Sequence, residues 1–155
     1  MPEAAVQEER GRCLTAILLR HPGLLHDIEE AWSSLELSAG LARLRDAILQ
    51  TEHAETLESD ALLAHLEVSG LGDDASLVLS AAMPLPPSAR PDALPAEAEG
   101  EWWHLFGLMR GRSRLDEEVA HAAAAYAEQQ TEAAQRRLVG LVNARLELVD
   151  IDNND

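Results

Sequence analysis

The chain contains no lysine. All twelve of its cations are arginines, set against 28 acids for a net charge of -16 at pH 7 over 155 residues. Such a deficit of positive charge argues against direct binding to a nucleic-acid backbone, which takes clustered cations to release counterions, and it disfavours an anionic membrane surface for the same reason. Aromatic residues are scarce, with three tryptophans, one tyrosine and one phenylalanine, so the core must rest on Leu, Ala, Val and Ile. Cys13 is the only cysteine, which excludes an internal disulfide and suits a reducing compartment. No apolar run approaches the length of a bilayer span. The opening MPEAAVQEERGR carries acids where a signal peptide needs cations. Together these absences describe a cytoplasmic protein with no membrane segment.

What is present is alanine and leucine. Apolar residues make up 46% of the chain and β-branched residues are sparse, a balance that favours helix over strand. An all-α fold is therefore expected. The charge is uneven along it: residues 21–80 hold 12 acids and 2 arginines, a balance of -10, whereas residues 95–145 hold 8 acids and 6 arginines, a balance of -2. The C-terminal part is the more neutral surface and the better candidate for burial against a partner.

The stretch LTAILLRHPGLL, residues 14–25, closes a first helix. Leu14, Ile17 and Leu18 share a face at helical spacing over an element expected from Pro2 to Arg20, and Pro22 disfavours helix at His21. A second helix is expected over Leu24 to Leu35, with Leu25, Ile28 and Trp32 inward. A third is expected from a Ser38 cap to Gln50, burying Leu41, Leu44, Ile48 and Leu49. Ser59 is placed to cap a fourth, with Leu62, Leu63 and Leu66 inward and Gly70 as its C′ residue. Asp73 and Asp74 suit the start of a fifth, running through Ala82. These form an N-terminal helical bundle over residues 1–82. Met83 to Pro95 then holds five of the seven prolines and reads as an extended connector.

Residues 96–155 follow as a long helix and a C-terminal helical hairpin. A proline-free stretch of roughly 35 residues would make a helix on the order of 50 Å long. Leu105, Leu108, Leu115, Val119, Ala122 and Tyr126 recur at spacings of three and four, with Arg112 in the one polar slot, as a heptad seam requires. Gly107 and Gly111 weaken that helix and mark a kink or a close helix contact. Of the pair Trp102-Trp103, one is expected to anchor the hairpin on the bundle while the other stays half exposed. Gln129-Gln130-Thr131 reads as a turn with Thr131 as N-cap, and IDNND as a frayed tail. The last helix carries two apolar stripes, Leu138-Leu141-Leu148 and Val139-Val142-Leu146-Val149. One can close the hairpin, and the other is left over as apolar surface that marks an interface. Arg136, Arg137 and Arg145 flank it, and arginine is enriched at interfaces.

No catalytic, metal or cofactor site is expected. The six histidines include no H-E-x-x-H, and neither a C-x-x-C nor an Asp-rich calcium loop occurs. Glu29-Glu30, Asp73-Asp74 and Glu117-Glu118 are adjacent pairs that point about 100° apart on a helix, so solvated faces and helix starts account for them. Arg110, Arg112 and Arg114 alternate around their helix and form no phosphate-binding stripe. Cys13 fits a small buried position.

The order LLRHPGLL at 18–25, AGLARLRDAIL at 39–49, SDALLAHLEVSGL at 59–71, EGEWWHLFGLMRGRSRLDEEVAHA at 99–122 and TEAAQRRLVGLVNARLELVD at 131–150 resembles the C-terminal, helicase-binding domain of bacterial DNA primase, in its alphaproteobacterial form. The resemblance covers nearly the whole chain. It implies a helical bundle joined to a C-terminal hairpin, without catalytic residues, since the primase's RNA-polymerising domain lies elsewhere in the full enzyme. It also implies that the hairpin docks onto the N-terminal collar of the hexameric replicative helicase, recruiting primase to the replication fork for primer synthesis. The expected contact set is Arg136, Arg137, Leu138, Leu141, Val142, Arg145, Leu146 and Val149, the expected state of the isolated domain a monomer. SDALLAHLEVSGLG also resembles a helix of the replicative helicase's own collar domain, which is the alternative, alongside a small all-α enzyme or metal protein. The alanine patch from Ala122 to Ala125 departs from the primase pattern and weakens seam packing.

Overall fold

The computed structural model describes residues 3–80, 85–90 and 92–153, with the side chains of residues 3, 4, 112, 113 and 149–153 outside that description. The described residues form eight α-helices: α1 (Glu3–Arg20), α2 (Leu25–Ser33), α3 (Ala39–Gln50), α4 (Ser59–Val68), α5 (Gly72–Ser80), α6 (Pro95–Arg110), α7 (Arg112–Glu128) and α8 (Glu132–Asn153). Single 3-10 turns lie at Pro22–Leu24, Ala54–Thr56 and Pro87–Ala89, and no strand occurs among the described residues. The fold is all-α. The chain forms two compact units, Met1–Ala98 and Glu99–Asp155.

The first unit is organised around α1. Every residue from Gly11 to Leu19 is buried, so this stretch has no solvent face at all. A helix enclosed on every side lies at the centre of its unit. α3, α4, α5 and the turns Pro22–Leu24 and Pro87–Ala89 all pack on it. The expected stripe of Leu14, Ile17 and Leu18 is thus only part of a complete belt that also includes Cys13, Ala16 and Leu19. The polar members of the belt are satisfied internally. Thr15 Oγ1 donates to the carbonyl of Gly11 at 2.9 Å. Arg12 donates from one terminal nitrogen to the carbonyl of Val78 in α5 at 2.7 Å and from Nε to Glu9 at 3.0 Å. Hydrogen bonding to Glu9 raises the guanidinium pKa above its ordinary value, against the opposing pull of burial.

The His-Pro step ends α1 and does one thing more. Pro22 opens the 3-10 turn that leads into α2. His21 Nε2 donates to the carbonyl of Ser88 at 3.0 Å, fastening the turn Pro87–Ala89, in which Ser88 and Ala89 are buried. Part of the proline-rich segment is therefore a wall of the first unit rather than an extended connector. Met83, Pro84 and Pro91 lie outside the described residues. The division between units falls inside α6, beyond that segment.

The shorter helices bury Leu25, Ile28, Trp32, Leu41, Leu44, Ile48, Leu62 and Leu66, at the spacings read from the sequence, while Leu49 and Leu63 are half-buried at the rim. α2 stops at Ser33, two residues short of its expected end. One terminal nitrogen of Arg45 takes the carbonyls of Leu35 at 2.6 Å and Trp32 at 3.3 Å there. Neither expected serine cap forms. Ser38 sits at the N-cap of α3, but its hydroxyl donates to Glu8 of α1. Ser59 is the first residue of α4, and it donates to the carbonyl of Leu19, at the end of α1, at 2.6 Å. Both hydroxyls serve the central helix instead of their own. Gly70 does close α4, at φ 85°, with Leu71 N–H bonded to Leu66 O and Gly70 N–H to Glu67 O, the paired bonds of a Schellman end. The expected helix start at Pro2 and helix end at Ala82 lie outside the described residues.

Arg12→Met removes a buried charged donor from the carbonyl of Val78. It should lower stability by about 2 kcal/mol, the scale of a hydrogen bond involving a charged group, in urea unfolding followed by circular dichroism. Arg43→Met, at an exposed position of α3, should change it by less than about 0.5 kcal/mol, as a surface substitution does.

Candidate protein-binding surface

The second unit begins in α6, and its helices do not form the single long rod the heptad spacing suggests. Gly111 adopts φ 81° and separates α6 from α7. That conformation is costly for a residue with a Cβ and free for glycine, so one of the two glycines noted in the sequence breaks the helix. Beyond the break the seam is as expected, with Leu115, Val119 and Ala122 buried and Tyr126 half-buried. Before it, Leu105 and Leu108 are only half-buried and the enclosed residues are Trp102, Trp103, Phe106 and Gly107. The break resets the helical phase, and a period carried across it misplaces the α6 face. Both tryptophans are buried, whereas one of the two is expected from the sequence to stay half exposed. Trp102 stacks on Phe106 with centroids 5.5 Å apart, and Trp103 meets Trp102 edge-on at 5.1 Å.

The other glycine, Gly107, permits close approach. A Cβ there would lie 2.9 Å from Cβ of Ala144 in α8, and a Cβ at Gly140 would lie 2.5 Å from the ring of Trp103. α6 and α8 thus cross with backbone and indole in direct contact. Charge reinforces the crossing. Glu118 of α7 holds Arg110 of α6 at 3.2 Å and Arg137 of α8 at 3.7 Å, so a single carboxylate joins three helices. The Arg110 guanidinium also lies 5.5 Å from the centroid of Phe106, over its face. Arg145 pairs with Asp116 at 3.4 Å, and His104 pairs with Glu147.

α7 and α8 form the hairpin. Thr131 caps α8 as expected, accepting from the N–H of Ala134 at 3.1 Å, and the helix continues to Asn153, taking up Ile151–Asn153 that the sequence suggests as tail.

The candidate contact residues separate into two groups. Leu141 is fully buried and Leu138 and Leu148 are half-buried, so this stripe is the more covered of the two. The side chain of Arg137 is only 15% exposed and turns to Glu118. Leu141 and Arg137 therefore belong to the interior of the unit, not to an outer face. Val139 and Leu146 are 50% and 54% exposed and Val142 between them is half-buried. They form an apolar row two helical turns long, roughly 10 Å from end to end. Arg136 is exposed beside it and approaches Glu132 at 3.9 Å, and Arg145 lies at its edge. The side chain of Val149 lies outside the described residues. Sequence reasoning missed Glu118, which reads there as one half of a solvated acid pair. It also passed over Gly140, whose place inside an apolar helix was the available signal for a close contact.

Among the described residues no group of three His, Cys, Asp or Glu side chains gathers to hold a metal ion, and no helix is long and apolar enough to cross a membrane. No protein-family model, curated protein or solved structure matches the chain.

Gly140→Ala improves intrinsic helix propensity by about 1 kcal/mol yet forces a methyl group into the Trp103 ring. The net effect should be destabilising by about 1–3 kcal/mol, as overpacking of a filled site is, with a lowered thermal midpoint and a change in tryptophan emission. An unchanged or raised midpoint would contradict the close crossing.

Proposed function

We propose that this chain is a non-catalytic docking domain of the kind bacterial DNA primase carries at its C-terminus. In this reading the outer face of α8 binds the N-terminal collar of the hexameric replicative helicase and brings primer synthesis to the fork. The supporting observation is the row Val139-Val142-Leu146 on α8, which exposes Val139 and Leu146 while Leu141 of the other stripe is buried and Leu138 and Leu148 are half-buried. The ordered resemblance along the chain names the partner, and the helical bundle followed by an α7–α8 hairpin is compatible with it. The strongly acidic surface suits a module that leaves contact with nucleic acid to other parts of an assembly.

Binding to the helicase N-terminal domain, measured by isothermal titration calorimetry, should weaken by about 2 kcal/mol or more, roughly 30-fold, for Leu146→Asp, the scale of an interface hot spot. Val139→Asp should act in the same direction. Both positions are half exposed, so the helical circular dichroism should stay unchanged. Deletion of residues 131–155 should abolish the interaction. Wild-type affinity in Leu146→Asp would reject this face, and self-association of the free chain into dimers or trimers would point instead to the helicase's own collar domain.

A further inference from the structure

The two most exposed large apolar side chains on the described surface are not in the hairpin. Val68 is 88% exposed and Leu77 is 69% exposed, and both lie on the α4–α5 pair of the first unit. Between these helices runs a groove of about 380 Å³ lined by Asp60, Leu63, Ala64 and Glu67 from α4 and by Gly72, Asp73, Ala75, Ser76 and Leu79 from α5. The lining positions on α4 recur at three and four residues, as do most of those on α5, so each helix presents one stripe to the groove. Val68 extends the row of Ala64 by one turn, and Leu77 extends that of Asp73. The helices are drawn together at their joined ends, where a Cβ on Gly72 would meet Glu67 atoms at 3.1–3.3 Å.

The charge of this groove is of one sign. Asp60, Glu67 and Asp73 line it, and among the described residues none of the three has an arginine or histidine partner. No arginine occurs from residue 46 to residue 89. At Glu9, Asp116 and Glu118, by contrast, the chain's own guanidinium groups meet the carboxylate. Here an apolar floor of Leu63, Ala64, Ala75 and Leu79 is rimmed by carboxylates that the molecule does not neutralise. A ligand that fits both properties has apolar side chains on one face and cations at its edge.

We infer that the α4–α5 groove binds a short, basic amphipathic helix of a partner protein. Apolar side chains of that helix would enter the groove between Leu63 and Leu79, and its arginines or lysines would meet Asp60, Glu67 and Asp73. The volume accommodates the two or three anchoring side chains typical of helix-in-groove recognition. The groove is lined by α4 and α5 alone, and the inference stands whatever α8 binds.

The test uses the full chain, labelled with nitrogen-15 and titrated with a synthetic peptide of about 14 residues that places leucines at i, i+3, i+4 and i+7 and arginines beside them. A peptide of identical composition in scrambled order serves as the charge control. The expected result is saturable shifts confined to residues 60–79, with the scrambled peptide binding at least tenfold more weakly. Leu77→Ser, and separately the triple change Asp60→Asn, Glu67→Gln and Asp73→Asn, should each weaken binding tenfold or more without loss of helical circular dichroism, whereas Leu146→Asp should leave it unchanged. Equal binding of the scrambled peptide, shifts spread over the whole acidic surface, or no binding at all would overturn the inference. So would concentration-dependent self-association relieved by Leu77→Ser, which would assign the face to a second copy of the chain.

Discussion

The complete enclosure of Gly11 to Leu19 in α1 is the constraint from which the first unit follows. A chain with so few aromatic residues has to build its interior from aliphatic side chains, each contributing about 1.5–3 kcal/mol when fully buried. A helix buried on one face uses only part of its length for this purpose. By surrounding Gly11 to Leu19 on all sides, the unit uses every position of that stretch. The consequence is that no polar group of the belt can turn to water, and an unmet one would cost about 1–3 kcal/mol. The hydroxyl of Thr15, the guanidinium of Arg12 and the end carbonyl of Leu19 are all bonded within the unit, the last by Ser59 across 40 positions of sequence.

The same requirement gives physical meaning to the arginine-only composition. Arg12 serves a carboxylate and a carbonyl at once, Arg45 serves two carbonyls at the end of α2, and Glu118 is gripped by two arginines from different helices. A planar guanidinium with five donors spans such sets of acceptors, whereas an ammonium group acts as a point charge. Helices with small side chains approach closely, as at Gly107, Gly140 and Ala144, and forked donors reach across the seams between them.

The helices and most of their buried positions were legible because local periodicity determines them. Leu25, Ile28 and Trp32, or Leu115, Val119 and Ala122, are buried as their spacing indicates. The helix-ending signal at Gly70 was legible because it depends on backbone conformation alone, whereas at Gly111 the sequence indicates only a kink or close contact inside one long helix. What escaped sequence reasoning depends on partners distant in the chain. Ser38 and Ser59 look like caps, yet α1 offers Glu8 and the Leu19 carbonyl as acceptors. Ser88 lies in a proline-rich run, yet His21 holds it against the bundle. For α8, the sequence indicated two stripes but not which would be enclosed. That depends on where α6 crosses, and Gly140 and Trp103 decide it together.

Burial of the second half of α1 on all sides also bears on the order in which the polypeptide can acquire structure. α1 leaves a ribosome before every element that covers its apolar belt, and those elements extend to the turn Pro87–Ala89. Until that turn has been synthesised, Leu14, Ile17, Leu18 and Leu19 have no complete shelter. Long-range closure of this kind slows folding compared with pairing of adjacent helices, and it leaves apolar surface open in the interval. The α7–α8 hairpin, whose helices are joined by three residues, has no such delay. One chain therefore combines an element that can zip up locally with a bundle that must wait for its last wall.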